Sequence, residues 1–127
     1  MAARQLKALI VDDDPVMQHI VQKNLDSVPI QHNTVSDGTQ AVKELKTKQY
    51  DFVLMDIKMP EQDGLDAIRW LRDSEDDYYK NVPVFALTTY STADHTKEIL
   101  EAGMNGHLVK PLDLDRLIEL LKANSLL

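Results

Sequence analysis

The chain contains no cysteine, and this absence excludes both a disulfide framework and a zinc site built from thiolates. It also lacks any long hydrophobic run. Residues 1–5 lead directly into the first apolar segment, so we expect no signal peptide, no membrane insertion and cytoplasmic residence. Positive charge is scarce: 14 Lys and Arg against 21 Asp and Glu give a net charge of −7. We therefore expect no direct nucleic-acid binding, because too few cations cluster to displace counterions from a phosphate backbone.

Five short apolar segments are present, and each stops abruptly on a carboxylate, a hydroxyl or an amine. They are residues 9–13, 34–38, 52–56, 84–88 and 108–110, of which 34–38 is the weakest. Continuous apolar runs are typical of parallel strands buried on both faces. In open α/β sheets the chemistry lies just beyond the carboxyl ends of such strands. The sequence therefore predicts an acidic site, with one lysine and one threonine beside it, at one edge of a sheet.

Segments with helical periodicity separate these strands. Each of the five predicted helices begins at or beside a short polar residue: Asp14 (followed by Pro15), Asp37, Asp63, Ser91 and Asp113. The polar segment 73–81 is predicted to be a solvated loop. The alternation predicts a single α/β domain over residues 1–127, with a core of about 6–124. We expect a flavodoxin-like (βα)5 three-layer sandwich whose five parallel strands have the order 2-1-3-4-5.

In that strand order, Asp12 and Asp13 face Asp56 across neighbouring strands. Two like charges at 4 Å repel by about 1 kcal/mol in water and by about 4 kcal/mol at an effective dielectric of 20, so three carboxylates need counter-charge. Lys110 supplies one positive charge, and an all-oxygen site with water-filled positions suits Mg²⁺ (or Mn²⁺). With the Thr88 hydroxyl as a hydrogen-bond donor and a carboxylate as nucleophile, this arrangement predicts a site that holds a phosphoryl group.

Four stretches of the chain resemble the receiver (response-regulator) domain of two-component signal transduction, over essentially the full length. The stretches are residues 9–15, 55–60 with 63–64, 83–88, and 102–103 through 110–111. Each alone is weak, but all four in this order and at this spacing are highly specific. Residues 55–60 and 102–105 look most like the receivers of hybrid histidine kinases.

The resemblance implies how a metal and a phosphoryl group would be held. Asp56 is the phospho-accepting carboxylate and, with Asp13, a direct ligand of Mg²⁺, whereas Asp12 binds the ion through water. The backbone carbonyl of Lys58 is the third protein ligand. Lys58 and Tyr90 lie two residues beyond Asp56 and Thr88 respectively; these positions flank the phosphoryl group in the family, so both are candidates for tuning its lifetime.

The resemblance also implies a switch, in which Thr88 senses the phosphoryl group and Lys110 pairs with it. Thr89 is the alternative to Thr88, and the spacing to Lys110 favours Thr88. The Lys110–Pro111 bond is expected to be cis, since X-Pro bonds carry a reduced cis penalty. His107 occupies the position of an aromatic residue that swings inward in the family. We therefore expect the Thr88 movement with a readout that is weaker or that depends on pH.

The function implied is a phosphorylation-activated switch that turns over no external metabolite. A phosphohistidine on a sensor histidine kinase or a histidine phosphotransfer domain gives its phosphoryl group to Asp56. The surface formed by the fourth predicted helix, the fifth strand and the fifth predicted helix then changes its preference for a downstream effector. Catalysis is limited to the domain's own phosphorylation and dephosphorylation.

Three other functions are alternatives to this one. The first is a receiver fold that serves as an interaction module without phosphorylation. The second is a phosphatase with an aspartyl-phosphate intermediate, which would need an aspartate as general acid where Lys58 stands. The third is a flavodoxin, whose phosphate would be repelled by the acidic loop at residues 12–14.

Overall fold

A five-stranded parallel sheet forms the centre of the protein in a computed structural model that describes residues 6–56, 63–88, 93–110 and 112–126. The strands are β1 (Leu6–Val11), β2 (Ile30–Val35), β3 (Phe52–Asp56), β4 (Val84–Thr88) and β5 (Gly106–Val109). Their order is β2-β1-β3-β4-β5, and every neighbouring pair is parallel. The predicted fold class and strand order are confirmed.

Six helices alternate with the strands in the described part of the chain. They are α1 (Pro15–Asp26), α2 (Gly38–Thr47), α3 (Asp63–Asp73), α4 (Asp77–Asn81), α5 (Ala93–Glu101) and α6 (Leu114–Ala123). The predicted caps Asp14, Asp37 and Asp113 each accept a hydrogen bond from a backbone N–H in the first helical turn, at 2.7–2.9 Å. The predicted cap Ser91 lies outside the described residues. No described helix combines the length and hydrophobicity needed to cross a bilayer.

The prediction of a solvated loop over residues 73–81 was wrong, because this segment contains the short helix α4. Asp76 caps it by accepting from the Tyr78 N–H at 2.8 Å. The Tyr78 hydroxyl accepts from the Tyr50 N–H at 2.6 Å and donates to the Tyr50 carbonyl at 3.2 Å, which holds α4 against the start of β3. Five residues are too few to show a helical period, so tertiary contacts decide this helix. The fourth and fifth predicted helices are therefore α5 and α6.

The core consists of two apolar clusters, one on each face of the sheet. Alternate strand residues enable this arrangement, since Leu9 and Val11 belong to one cluster while Ala8 and Ile10 belong to the other. The first face is covered by Ala41, Leu45, Ala67, Ile68, Leu71 and Ile99, and the second by Val21, Leu25, Leu117 and Leu121. Helices α2, α3 and α5 thus form one outer layer and α1 and α6 the other.

Helix α5 ends at Glu101, and Gly103, which follows two residues later, has a φ of 101°. The Gly103 N–H donates to the Leu100 carbonyl at 3.1 Å and the Met104 N–H to the Ile99 carbonyl at 3.2 Å, which is the Schellman arrangement. A Cβ at Gly103 would lie 2.8 Å from Cγ of Arg72. Both the backbone conformation and the approach of Arg72 therefore require glycine here.

Arg72 connects three segments by hydrogen bonds: α3, α4 and the turn between α5 and β5. The sequence alone does not predict these contacts. Its guanidinium donates to the carbonyls of Gly103, Tyr79, Lys80 and Val82 at 2.8–3.1 Å, and to Oδ1 of Asn105 at 3.0 Å. Burial lowers the pKa of this guanidinium, but an arginine stays charged. The charged guanidinium thus donates hydrogen bonds to backbone oxygens of α4 and of the turn between α5 and β5.

Replacing Arg72 with methionine should lower the free energy of unfolding by about 3 kcal/mol, because four backbone carbonyls, most of them partly buried, lose a charged donor at once. Urea denaturation followed by circular dichroism measures the change. The matched control is Arg69→Met on the same helix. Among the described residues Arg69 makes only an exposed ion pair, with Asp66 at 3.8 Å, so its loss should cost less than about 0.5 kcal/mol. Equal losses in the two variants would contradict the assigned role of Arg72.

Candidate functional site

The predicted site residues converge at the carboxyl edge of the sheet. Asp12 directly follows β1, Asp56 and Thr88 are the last residues of β3 and β4, and Lys110 directly follows β5. Val11 pairs with Met55, and Asp56 pairs with Leu87. Parallel strands in this register bring the polar ends of four neighbouring strands to one edge, as the sequence predicts.

Three carboxylates lie close together at this edge. Asp12, Asp13 and Asp56 each place one oxygen within 4.8 Å of the others. Asp12 is fully buried and Asp56 is 3% exposed, whereas Asp13 is exposed. The cluster therefore has a dry inner side, formed by two strand ends, and an outer side that is open to water.

Lys110 is the cation that compensates this charge. Its Nζ lies 3.3 Å from Oδ2 of Asp12 and 3.3 Å from Oδ2 of Asp56, and its side chain is 11% exposed. The Lys110 N–H donates to the Thr88 carbonyl at 2.7 Å, which fixes the end of β5 against the end of β4. The lysine thus bridges two buried carboxylates while its backbone is tied to Thr88.

The burial of Asp12 has an electrostatic consequence. Burial raises the pKa of its carboxyl above the ordinary 3.8, and the charge of Asp56 raises it further. The Asp14 N–H, which donates to Oδ1 of Asp12 at 2.9 Å, and Lys110 both oppose that rise. Ionisation of Asp12 therefore works against folding, and a cation at the cluster would remove this opposition.

The donor set fits a hard divalent cation. All the donors are carboxylate oxygens, the exposed Asp13 opens the site to water, and Mg²⁺ keeps several waters while binding few protein carboxylates. The predicted third ligand, the Lys58 carbonyl, lies outside the described residues. A cation held by Asp12, Asp13 and Asp56 would face Lys110 across the cluster.

The structure describes two of the residues that the sequence assigns to the switch, Thr88 and His107, besides Lys110. Thr88 is fully buried at the end of β4, opposite Val109 in the β5 register. His107 is half-buried and pairs with Ala86. Thr89, Tyr90 and Pro111, with the predicted cis bond, lie outside the described residues.

Sequence reasoning missed Gln18, which joins α1 to the acidic loop. Its side-chain amide donates to the backbone carbonyl of Asp12 and lies 3.4 Å from Oγ of Ser36. Glutamines are common on solvent-exposed helix faces, so composition gave no sign of this contact. Only its place one turn into the helix that follows the acidic loop could have drawn attention to it.

Comparison with known proteins decides the family. The family model described as the response regulator receiver domain matches residues 8–122. The chain belongs to this family. The receiver domain is 33% identical over 117 residues to the transcriptional regulatory protein ZraR of Klebsiella oxytoca, which covers 92% of this chain and 26% of ZraR. It is also 33% identical over 117 residues to the signal transduction histidine-protein kinase BarA of Escherichia coli K12, covering 91% of this chain and 12% of BarA.

A solved structure is similar over nearly the whole domain. It is the receiver domain of the sensor histidine kinase PA1611 from Pseudomonas aeruginosa PAO1, with a TM-score of 0.82 and 33% identity over 96% of this chain and 99% of that chain. That structure has a magnesium ion coordinated in its active-site cleft. The present chain spans only 26% of ZraR and 12% of BarA, so these relatives are much longer proteins.

Asp12→Asn should raise the free energy of unfolding of the metal-free receiver domain by about 1 kcal/mol at neutral pH. Asparagine still accepts from the Asp14 N–H, while the repulsion of about 1–4 kcal/mol per carboxylate pair disappears, less the lost attraction of Lys110. The gain should shrink as the pH falls through the raised pKa of Asp12, and should vanish below 3.8, where the wild-type carboxyl is protonated in both the folded and the unfolded chain.

Urea denaturation in EDTA at several pH values measures this gain. Asp14→Asn is the matched control: it removes an exposed charge two residues away and keeps the helix cap, so it should change stability by less than about 0.5 kcal/mol. A metal-free Asp12→Asn domain that is less stable than wild type at neutral pH would contradict the assigned repulsion.

Proposed function

We propose that this receiver domain is a phosphorylation-activated signalling switch in which Asp56 accepts a phosphoryl group from a phosphohistidine in a Mg²⁺-dependent reaction. The observation that carries the proposal is the placement of Lys110, 3.3 Å from both Asp12 and Asp56, beside the exposed Asp13. The proposed nucleophile, the Lys110 cation and the proposed metal-binding oxygens thus lie at one edge of the sheet, and the exposed Asp13 leaves this edge open to an incoming group.

The chemistry follows from these positions. An Asp56 carboxylate oxygen attacks phosphorus, the phosphorus–nitrogen bond of the phosphohistidine breaks, and the imidazole leaves with the electron pair. The Lys110 ammonium neutralises charge on the phosphoryl oxygens, and the Thr88 hydroxyl donates to one of them. A bound Mg²⁺, held by Asp12, Asp13, Asp56 and the Lys58 carbonyl, supplies the remaining positive charge. Water later hydrolyses the acyl phosphate, which restores the Asp56 carboxylate and releases inorganic phosphate. The phosphorylated state is the proposed signal, and no external metabolite is converted.

Mg²⁺ is the proposed cofactor for two reasons. The described donors are all oxygens, and the PA1611 receiver, which is 33% identical, coordinates magnesium in its cleft. Lys58 and Tyr90 remain our candidates for controlling how quickly water reaches the acyl phosphate.

The output surface is proposed to be α5, β5 and α6. The backbone bond from Lys110 to Thr88 links the site to β5, the edge strand of the sheet. Leu100 on α5 is 55% exposed and Val109 on β5 is 42% exposed, so this side offers apolar contacts to an effector. His107 lies on the same strand, and we propose that its half-buried ring weakens the readout or makes it depend on pH.

The proposed donor is a sensor histidine kinase or a histidine phosphotransfer domain. Similarity to the kinase BarA and to the CAI-1 autoinducer sensor kinase/phosphatase CqsS of Vibrio cholerae, each 33% identical, supports this. We further propose that residues 1–127 form one receiver domain with a core of about 6–124.

Incubation with phosphoramidate, whose phosphorus–nitrogen bond imitates that of phosphohistidine, tests the reaction. Intact-mass spectrometry should show a gain of one phosphoryl group that requires Mg²⁺ and is lost in Asp56→Asn. Asp51→Asn is the matched control, because Asp51 precedes the other end of β3 and accepts from the Lys7 N–H at 2.8 Å, which asparagine can also do. It should be phosphorylated like wild type.

Two results would contradict the proposal. Wild-type protein that gains no mass with phosphoramidate, acetyl phosphate or a phosphorylated histidine phosphotransfer domain would favour a constitutive interaction module. A gain that survives Asp56→Asn would place the acceptor elsewhere.

Lys110→Met tests two proposed roles of the lysine: stabilising the metal-free domain and binding the phosphoryl group. Without its ammonium, the metal-free domain should lose about 3 kcal/mol of stability, because Asp12 and Asp56 keep their charges uncompensated. Mg²⁺ should bind more tightly, since a neighbouring positive charge is gone, while the phosphoryl mimic beryllofluoride should bind more weakly. Calorimetric titration measures both affinities, and the exposed Lys97→Met should change neither. Weaker Mg²⁺ binding by Lys110→Met would contradict this assignment.

A further inference from the structure

The loop that carries Asp12 and Asp13 is tied to α1 by a side chain outside the acidic cluster. Nε2 of Gln18 donates to the backbone carbonyl of Asp12, and the same nitrogen lies 3.4 Å from Oγ of Ser36. Gln18 begins the second turn of α1, and its backbone N–H donates to the Asp14 carbonyl at 2.9 Å. The helix therefore fixes the backbone position from which this side chain reaches the loop.

The accepting carbonyl has a special place in the loop. It belongs to the peptide unit that joins Asp12 to Asp13, and a peptide unit is planar. A hydrogen bond that holds the carbonyl oxygen therefore holds the whole plane, including the N–H of Asp13 on its opposite side. The relative directions of the two carboxylate side chains depend on the rotation of this plane.

The other described bonds of Asp12 act at different points. Its N–H donates to the Val35 carbonyl at 3.2 Å, which continues the β1–β2 ladder. Its Oδ1 accepts from the Asp14 N–H at 2.9 Å, and its Oδ2 accepts from Nζ of Lys110 at 3.3 Å. These bonds fix the start of the loop and the Asp12 side chain. The plane that leads to Asp13 is held by Gln18.

We propose that Gln18 is a positioning residue for Mg²⁺ binding: its amide sets the Asp12–Asp13 peptide plane so that a buried and an exposed carboxylate approach one cation together. This inference rests on the proposed function, because it concerns the same cluster of Asp12, Asp13 and Asp56. The described side-chain bonds of Gln18 go to the Asp12 carbonyl and to Ser36, so its proposed action on the ion is through the loop.

The chain offers a closely matched control one turn along the same helix. Nε2 of Gln22 donates to Oγ1 of Thr34 at 2.7 Å. Both glutamines are half-buried, lie on α1 and bond across to β2 or the residue that follows it. Only Gln18 reaches the acidic loop, so the pair separates loss of a helix-to-sheet hydrogen bond from loss of loop positioning.

Gln18→Met and Gln22→Met test the inference, because methionine is similar in length, favours helices and has no N–H donor. We expect both variants to lose similar stability in urea without metal. Isothermal titration with MgCl₂ should show binding about three- to tenfold weaker for Gln18→Met and unchanged for Gln22→Met. In ¹⁵N-labelled protein, the Asp13 amide resonance should shift in Gln18→Met alone. Gln18→Leu serves as a second variant.

Two outcomes would overturn the inference: Mg²⁺ affinity in Gln18→Met and Gln18→Leu within about twofold of wild type, or an equal loss in Gln22→Met. Wild-type protein that binds no Mg²⁺ would overturn it together with the metal step of the proposed function. Wild-type protein that binds Mg²⁺ but is not phosphorylated would overturn the proposed function alone, since the affinity comparison still reports on Gln18.

Discussion

The crowding of three carboxylates around one ammonium is the constraint on which the rest of this protein depends. Asp12 and Asp56 are buried at strand ends, and each lies 3.3 Å from the Lys110 ammonium. A buried charge is tolerated only when it is paired, and one lysine cannot fully compensate two buried carboxylates and the neighbouring Asp13. Burial, together with the charge of Asp56, raises the pKa of Asp12 in spite of Lys110. The site thus carries an excess of negative charge, which favours the binding of a divalent cation.

The opposite side of the molecule is organised differently, by bonds that leave no such deficit. Arg72 satisfies carbonyls of α4 and of the α5–β5 turn, and Tyr50 is held by hydrogen bonds from Asn33 at 2.8 Å and to Glu44 at 2.6 Å. Burial raises the pKa of Tyr50 to about 12, so it remains a neutral donor. These contacts stabilise the scaffold. Among the described residues, the clustered carboxylates lie at the edge where the chemistry is proposed.

The sequence was sufficient to predict the fold and the members of the acidic cluster, because parallel topology aligns strand ends. Once segments 52–56 and 108–110 are recognised as parallel strands of one sheet, Asp56 and Lys110 must lie at the same edge. It was insufficient for Arg72 and Gln18, whose partners are backbone carbonyls brought near by tertiary packing. The helix Asp77–Asn81 was missed for a related reason, since five residues show no period and the Tyr78 contact with Tyr50 is long-range.

Phosphorylation would change the balance of charge in a definite direction. A phosphoryl group on Asp56 brings additional negative charge next to Asp12, and Lys110 would be drawn toward the new oxygens, away from Oδ2 of Asp12. Asp12 would then be buried without its cation unless a metal took over that compensation. The proposed Mg²⁺ dependence would therefore be a consequence of sharing one lysine among several anions. The Lys110 N–H donates to the Thr88 carbonyl. A displacement of the Lys110 backbone would therefore move the ends of β4 and β5, which lie next to the surface that is proposed to bind the effector.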